Sequence, residues 1–283
     1  MISDVLHIMS EMPGSRVSLG LRERGKPAWA AATSHPMVRQ IGAGTLPYET
    51  FRRYFEQNIL YLEDYARAIG LIIGKSPDYD AADVLSRFLR QIVGIEIPSN
   101  VDFLHRVGGS PGTAGAMTAM LPVTYGYTRH LLYTSAQGSC AEGLAAVLPC
   151  QWSYGELAAP LAAALPAEPV YADWVSMFGN DSYSALVAET TGLLDRLADP
   201  GDAAAMARLA WIFDISTRYE VQFWDMAYDV PTGHGGPDAD GGLTDGEPAG
   251  DGGLTDGEPA SDGGLTDGEP AGDGVLTGKE PGR

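Results

Sequence analysis

The stretch YETFRRYFEQNILYLEDYARAIGLII, Tyr48–Ile73, decides the fold class. Its apolar residues Phe51, Phe55, Ile59, Leu62, Ala66 and Ile69 recur every three or four positions, the period of one helix face. The same spacing continues on both sides of a series of breaks. Asp80–Val93 puts Val84, Leu85, Phe88 and Ile92 on one side, and Met117–Ser135, Ala141–Leu165, Tyr171–Met177, Ser182–Leu197 and Ala203–Tyr228 follow. The breaks carry Pro and Gly: SPD at Ser76, GGSPG at Gly108, LPAEP at Leu165 and ADPGD at Ala198. No sustained two-residue alternation and no β-branched run bounded by turns is present, so strands are not expected. The pattern predicts a single all-α domain over residues 1–230, with its helices packed around a shared interior.

Beyond residue 230 the composition changes. DGGLTDGEPAG begins at Asp240, recurs from Asp251 and Asp262, and decays from Asp273 as DGVLTGKEPGR. Each unit carries glycines, a proline and a single leucine, which excludes both helix and core. Residues 231–283 are therefore expected to be a disordered acidic tail. The DADGG at its start faintly resembles a calcium loop, but the position that needs a glutamate holds Ala249.

The 283 residues carry a formal net charge of −19. The segment from Pro231 contributes 12 acidic and two basic residues, so residues 1–230 retain a net of −9. A body this acidic is repelled by phosphate backbones, so nucleic acid is not an expected partner. Cys140 and Cys150 are too few for a disulfide framework or a four-cysteine zinc site. No stretch of about 20 apolar residues could span a bilayer. The first 25 residues lack a basic start followed by an apolar run, so no signal peptide is expected and the cytoplasm is the expected location.

Several helices place polar groups on their apolar stripe. Asn58 and Tyr61 share a face with Leu62, and Tyr127 lies one turn before Leu131. Cys150 and Tyr154 are four apart in LPCQWSYGEL, and Glu220 sits among aromatics beside Phe223 and Trp224. Each alone has a plain structural reading: a small buried thiol, a tyrosine bonded to backbone, a glutamate at a neighbouring helix end. Together, one thiol, several phenols, a glutamate and an amide on different helices describe a site, because a buried carboxyl must be paired, protonated or functional. Pro149 lacks an N–H, so it should free the Ala145 carbonyl and bend the helix beside Cys150.

The blocks HPMVRQIGAGTLPYETFRRYFEQNILYLEDYARA, TYGYTRHLLY, AAVLPCQWSYGEL, YADWVSMFGNDSY and YEVQFWDMAY, from Trp29 to Tyr228, resemble the TenA, or thiaminase II, family. The resemblance implies a haem-oxygenase-like helical bundle. It implies hydrolysis of thiamin-related aminopyrimidines to 4-amino-5-hydroxymethyl-2-methylpyrimidine in thiamin salvage, a homotetramer, and no cofactor or metal. By the same resemblance Cys150 is the nucleophile and Glu220 the acid/base. Tyr127, Tyr154 and Tyr61 are pocket tyrosines, and Phe223 is a lining aromatic. Two positions depart from the family pattern. Asn58 stands where an aspartate holds the pyrimidine edge, and Phe178 stands where a tyrosine is expected.

A carboxamide can pair in two-point fashion with a ring nitrogen and its amino group, but it cannot stabilise a protonated ring by charge. Asn58 thus predicts slower hydrolysis or a shifted substrate, with Asn58→Asp not lowering activity. Two alternatives stand beside this reading: an enzyme of the same fold acting on another heteroaromatic or amine in secondary metabolism, and a non-catalytic ligand-binding or regulatory protein. For the last, no helix-turn-helix or basic patch is visible. A dinuclear metal site would need Glu-x-x-His pairs. Glu96 is followed by Ser99 and Asn100, and His7, His35, His105, His130 and His234 form no such pair.

Overall fold

Among the residues described in the computed structural model, 16–110 and 120–228, all regular structure is helical. The repeat tail, His7, His234 and the start expected at Met117 lie outside them. Eleven α-helices run in chain order: α1 Val17–Arg24, α2 Lys26–Thr33, α3 Pro36–Ala43, α4 Tyr48–Ile73, α5 Tyr79–Gln91, α6 Ile97–Arg106, α7 Pro122–Gln137, α8 Cys140–Ala162, α9 Pro169–Phe178, α10 Asp181–Leu197 and α11 Ala203–Tyr228. A five-residue π-turn, Ile92–Glu96, joins α5 to α6.

Local chemistry sets these boundaries. Asp78 and Asn180 cap α5 and α10 by accepting from Ala81 and Tyr183 N–H groups. Ser139 and Glu142 form a reciprocal capping box at the start of α8. Prolines at the first turn begin α3, α7 and α9, where a missing N–H costs nothing. Gly44, at φ 69°, ends α3 in the left-handed region.

Four helices, α4, α7, α8 and α11, each pack against the other three, and the remaining helices surround them. Their shared interior is aromatic. Phe51, Tyr54, Phe55, Tyr65, Tyr127, Phe213 and Trp224 are all almost wholly buried, as is Trp174 from α9. Tyr54 stacks on Trp224 at 5.2 Å, and Trp224 stacks on Tyr154 at 5.3 Å. Such rings contribute more than their area when their faces and edges are matched.

Helix α8 is continuous through Pro149 and Pro160. The Tyr65 hydroxyl, from α4, donates to the Val147 carbonyl at 2.7 Å, tying the two helices together just before the proline. Close approach of the central helices depends on Gly143 in α8. A Cβ there would lie 2.7 Å from Cγ1 of Ile72 on α4 and 3.4 Å from Cα of Ser135 on α7. Gly143→Leu is therefore expected to destabilise the fold by about 2 kcal/mol through overpacking. A thermal melt should show it as a fall of roughly 2–4 °C per kcal/mol for a domain of this size. An unchanged melting temperature would mean that the three helices do not meet as closely as described.

Candidate active site

The four central helices each bring polar groups to one place. Cys150 and Tyr154 come from α8, Asn58, Tyr61 and Tyr65 from α4, Tyr127 from α7, and Glu220 and Phe223 from α11. A hollow opens beside them. Asn58, Cys150, Tyr154 and Phe178 line it, as the sequence reading had grouped them. Leu62, Tyr65, Ile92, Glu96, Gln151 and Tyr183 line it as well. Tyr61, Tyr127, Glu220 and Phe223 do not line the hollow but form the layer behind the thiol. Tyr61 packs on Tyr127 at 5.0 Å and on Phe223 at 5.5 Å. The space open to the centre of a water molecule is only about 10 Å³, room for one water. A heteroaromatic ring enters only if the walls move outward.

The thiol and the carboxyl face one another. Tyr127 donates its hydroxyl to Glu220 Oε1 at 2.5 Å, within the buried core. Burial pushes the Glu220 carboxyl up to about 7, against the pull of the Tyr127 hydroxyl and the Cys150 thiol, which both favour its charged form. Burial also pushes the Cys150 thiol well above its ordinary value, and the Glu220 charge adds to that; the nearby Tyr61 hydroxyl acts the other way. The sulfur reaches the hollow, yet protein surrounds it on every other side. At rest the pair is thus a neutral thiol beside a carboxyl that titrates near neutrality. The Tyr61 oxygen lies beside the sulfur but makes no well-formed hydrogen bond, a buried hydroxyl left without a partner.

Asn58 is held in one orientation by a chain of amides. Asn100 Nδ2 donates to the Glu96 backbone carbonyl at 2.8 Å, which can only accept. The Asn100 oxygen must then face Asn58, whose Nδ2 donates to it at 2.9 Å. The Asn58 oxygen is left to accept from elsewhere. At the position where a tyrosine was expected, Phe178 packs edge-on against Tyr154 at 4.9 Å and Tyr183 at 5.3 Å. Tyr183 brings a hydroxyl to the same wall, but it donates to the Gln151 carbonyl at 3.2 Å.

Glu96, Gln151, Asn100 and Tyr65 escaped sequence reading as site residues, whereas Tyr183 stood out as a hydroxyl that could make up for Phe178. The signal for Glu96 was present: a carboxylate inside VGIEIP, an apolar run ended by a proline. Pro98 has no N–H to offer the Gly94 carbonyl, and the helix widens just before it into the π-turn. The Ile97 N–H reaches back to the Ile92 carbonyl, and Glu96 ends this turn 5% exposed, in the wall of the hollow.

Among the described residues, no group of three or more His, Cys, Asp and Glu is placed to hold a metal ion, and no helix is long and apolar enough to cross a membrane. His35 caps α3 and meets Asp225 at 3.1 Å, and His130 meets the Ser216 hydroxyl at 3.1 Å, so both are satisfied locally.

Comparison with known proteins places these observations. An aminopyrimidine aminohydrolase of Halalkalibacterium halodurans is 34% identical over 74% of this chain and 93% of its own length. One of Bacillus subtilis is 31% identical over 71% of this chain and 84% of its own. A solved TenA homologue from P. horikoshii superposes with a TM-score of 0.69 at 29% identity, covering 76% of this chain and 99% of that one. A Shewanella denitrificans domain with a haem-oxygenase-like fold superposes with a TM-score of 0.59 at 13% identity, a likeness of fold alone. The model of the TENA/THI-4/PQQC family matches residues 22–230. The haem-oxygenase-like all-α bundle is thus the fold, and the chain belongs to the TENA/THI-4/PQQC family.

Proposed function

We propose that this chain is an aminopyrimidine aminohydrolase of the thiaminase II type, with Cys150 as nucleophile and Glu220 as its acid/base. The observation that carries the reading is the enclosed thiol beside a carboxyl that burial holds near neutrality and Tyr127 fixes in place. The aminopyrimidine aminohydrolases among its relatives, similar over most of their length, support the substrate class.

The Cys150 thiol gives its proton to the ionised Glu220, and the sulfur forms a bond to a ring carbon of the pyrimidine. A ring nitrogen takes up a proton from solvent and gives it back once the amine has left. Glu220 protonates the amine on the ring's methylene, which leaves as ammonia. Water adds to that methylene and the carbon–sulfur bond breaks, restoring the thiol and the aromatic ring. The net change is an amine and water to an alcohol and ammonia. General acid–base help of this kind is worth roughly 10²–10⁴-fold. Tyr61, beside the sulfur, favours its thiolate as the bond forms. Tyr154 is positioned by the Tyr54 hydroxyl at 3.0 Å, and Tyr154 and Phe178 give the ring its apolar surroundings.

The amide at residue 58 and the phenyl ring at 178 favour a second reading of the substrate alone: another amine-bearing heteroaromatic treated by the same chemistry. A screen of pyrimidine and non-pyrimidine amines separates the two. The assembly follows the family as a homotetramer in the cytoplasm. Tyr125, Tyr133 and Trp211, exposed on α7 and α11, offer aromatic surface for it. Light scattering should then give four times 29.9 kDa; the mass of one chain would remove the tetramer.

Two activity measurements test the site. Because Cys150 attack needs an ionised Glu220, kcat/KM on 4-amino-5-aminomethyl-2-methylpyrimidine should rise with pH through a value near 7. Glu220→Gln should erase that limb and cost ~100-fold or more. A flat profile with a fully active Gln variant would remove Glu220 from the chemistry. Asn58→Asp sets a carboxylate oxygen against the Asn100 oxygen. This reverses the expectation drawn from sequence: the substitution should lower kcat/KM by about tenfold, the equivalent of one badly matched buried pair. A gain in kcat/KM would show that the Asn58–Asn100 pair does not matter to binding.

A further inference from the structure

Glu96 is a buried carboxyl that the proposed steps leave unused. Among the described residues it forms no ion pair, and its one side-chain hydrogen bond comes from the Gln91 amide at 3.5 Å, the outer limit for such a bond. Burial pushes this carboxyl up to about 8. Helix packing alone gives no reason to keep it. A hydrocarbon side chain of the same volume would fill the place without the desolvation cost.

Its surroundings suggest a use. Glu96 and Asn58 stand in the same wall, joined through Asn100, which bonds the Asn58 amide on one side and the Glu96 backbone on the other. Gln151 stands in that wall too. It is 1% exposed, its oxygen takes the Thr190 hydroxyl at 2.7 Å, and its nitrogen has no partner. The hollow is therefore lined by a carboxyl and two amides as well as by the rings of Phe178 and Tyr154. A flat ring with an N–H-bearing edge fits such a wall: its amino group needs an acceptor with no competing partner.

We infer that Glu96 is a substrate-binding carboxyl, which accepts the exocyclic N–H of the heterocycle beside the Asn58 amide. The inference rests on the proposed function and adds a specificity-determining residue to it. Asn58 then serves as the neutral neighbour. A second carboxylate at 58 would crowd the first and face the Asn100 oxygen.

Calorimetry on the full chain tests this without reference to turnover. Two ligands are compared, 4-amino-5-hydroxymethyl-2-methylpyrimidine and the same ring without its 4-amino group. The unsubstituted protein should prefer the amino compound by ~10-fold or more, since a site built to pair an N–H rejects the analogue lacking it. Glu96→Met fills the space with no acceptor, and the preference should fall to about threefold or less. Glu96→Asp keeps the carboxyl and should retain most of the preference. A Met variant that still discriminates as the parent does overturns the inference. So does an Asp variant that loses discrimination as completely as Met, or a loss of folding in both, since Glu96 would then be a packing residue. If the parent hydrolyses the aminomethyl substrate while one of these results is found, only the role of Glu96 falls. A parent that neither hydrolyses nor binds the aminopyrimidine removes the proposed function, and this inference with it.

Discussion

Two carboxyls and a thiol stand inside an aromatic core where few dipoles are available to solvate their charges. This cost of burial organises the centre of the bundle. Glu220 and Glu96 are each pushed toward or past neutrality, and the Cys150 thiol is pushed up beyond its ordinary range. Each would be cheaper as a hydrocarbon, so each implies a partner present only when the site is occupied. Among the described residues the first compensation is the Tyr127 hydroxyl on Glu220, with the Cys150 thiol beside it. It holds that carboxyl close to the point where it can both take and give a proton, the condition an acid/base needs near neutral pH.

The surrounding helices make this tolerable. Because α4, α7, α8 and α11 all touch one another, the site residues they carry are held in one frame. Tyr54, Tyr154, Trp174 and Trp224 form a stacked and edge-on cluster behind Tyr154, so the phenol cannot drift away from the hollow. The orientation of the Asn58 amide is likewise inherited, from a backbone carbonyl two residues removed in the bonding chain.

Much of this architecture is legible in the sequence where hydrophobic period and length agree. Tyr48–Ile73 and Ala203–Tyr228 are read to their terminal residues because their apolar stripes run for seven turns against the core. The short helices α1, α2 and α3 are not seen, since eight residues give barely two turns of signal. Helix α6 is hidden for another reason: Pro98 reads as a break, whereas it sits at the first turn of a new helix. Residues of the site are found where a polar group interrupts an apolar stripe, as at Asn58, Cys150 and Glu220. Glu96 is missed because its place depends on a widened turn, and a period of 3.6 carries no trace of that.

The widened turn has an evolutionary reading. A π-turn amounts to an α-helix carrying one surplus residue, and each residue of a regular helix advances about 100° around the axis. Removing one position from 92–95 would turn Glu96 about a quarter-turn relative to α5, and would carry Asn100, one turn further on, with it. A single-codon insertion or deletion at this joint is thus a way to give or take one acidic group from the cavity wall. Cys150 and Glu220 stand on other helices, so such a change alters the wall of the hollow apart from them.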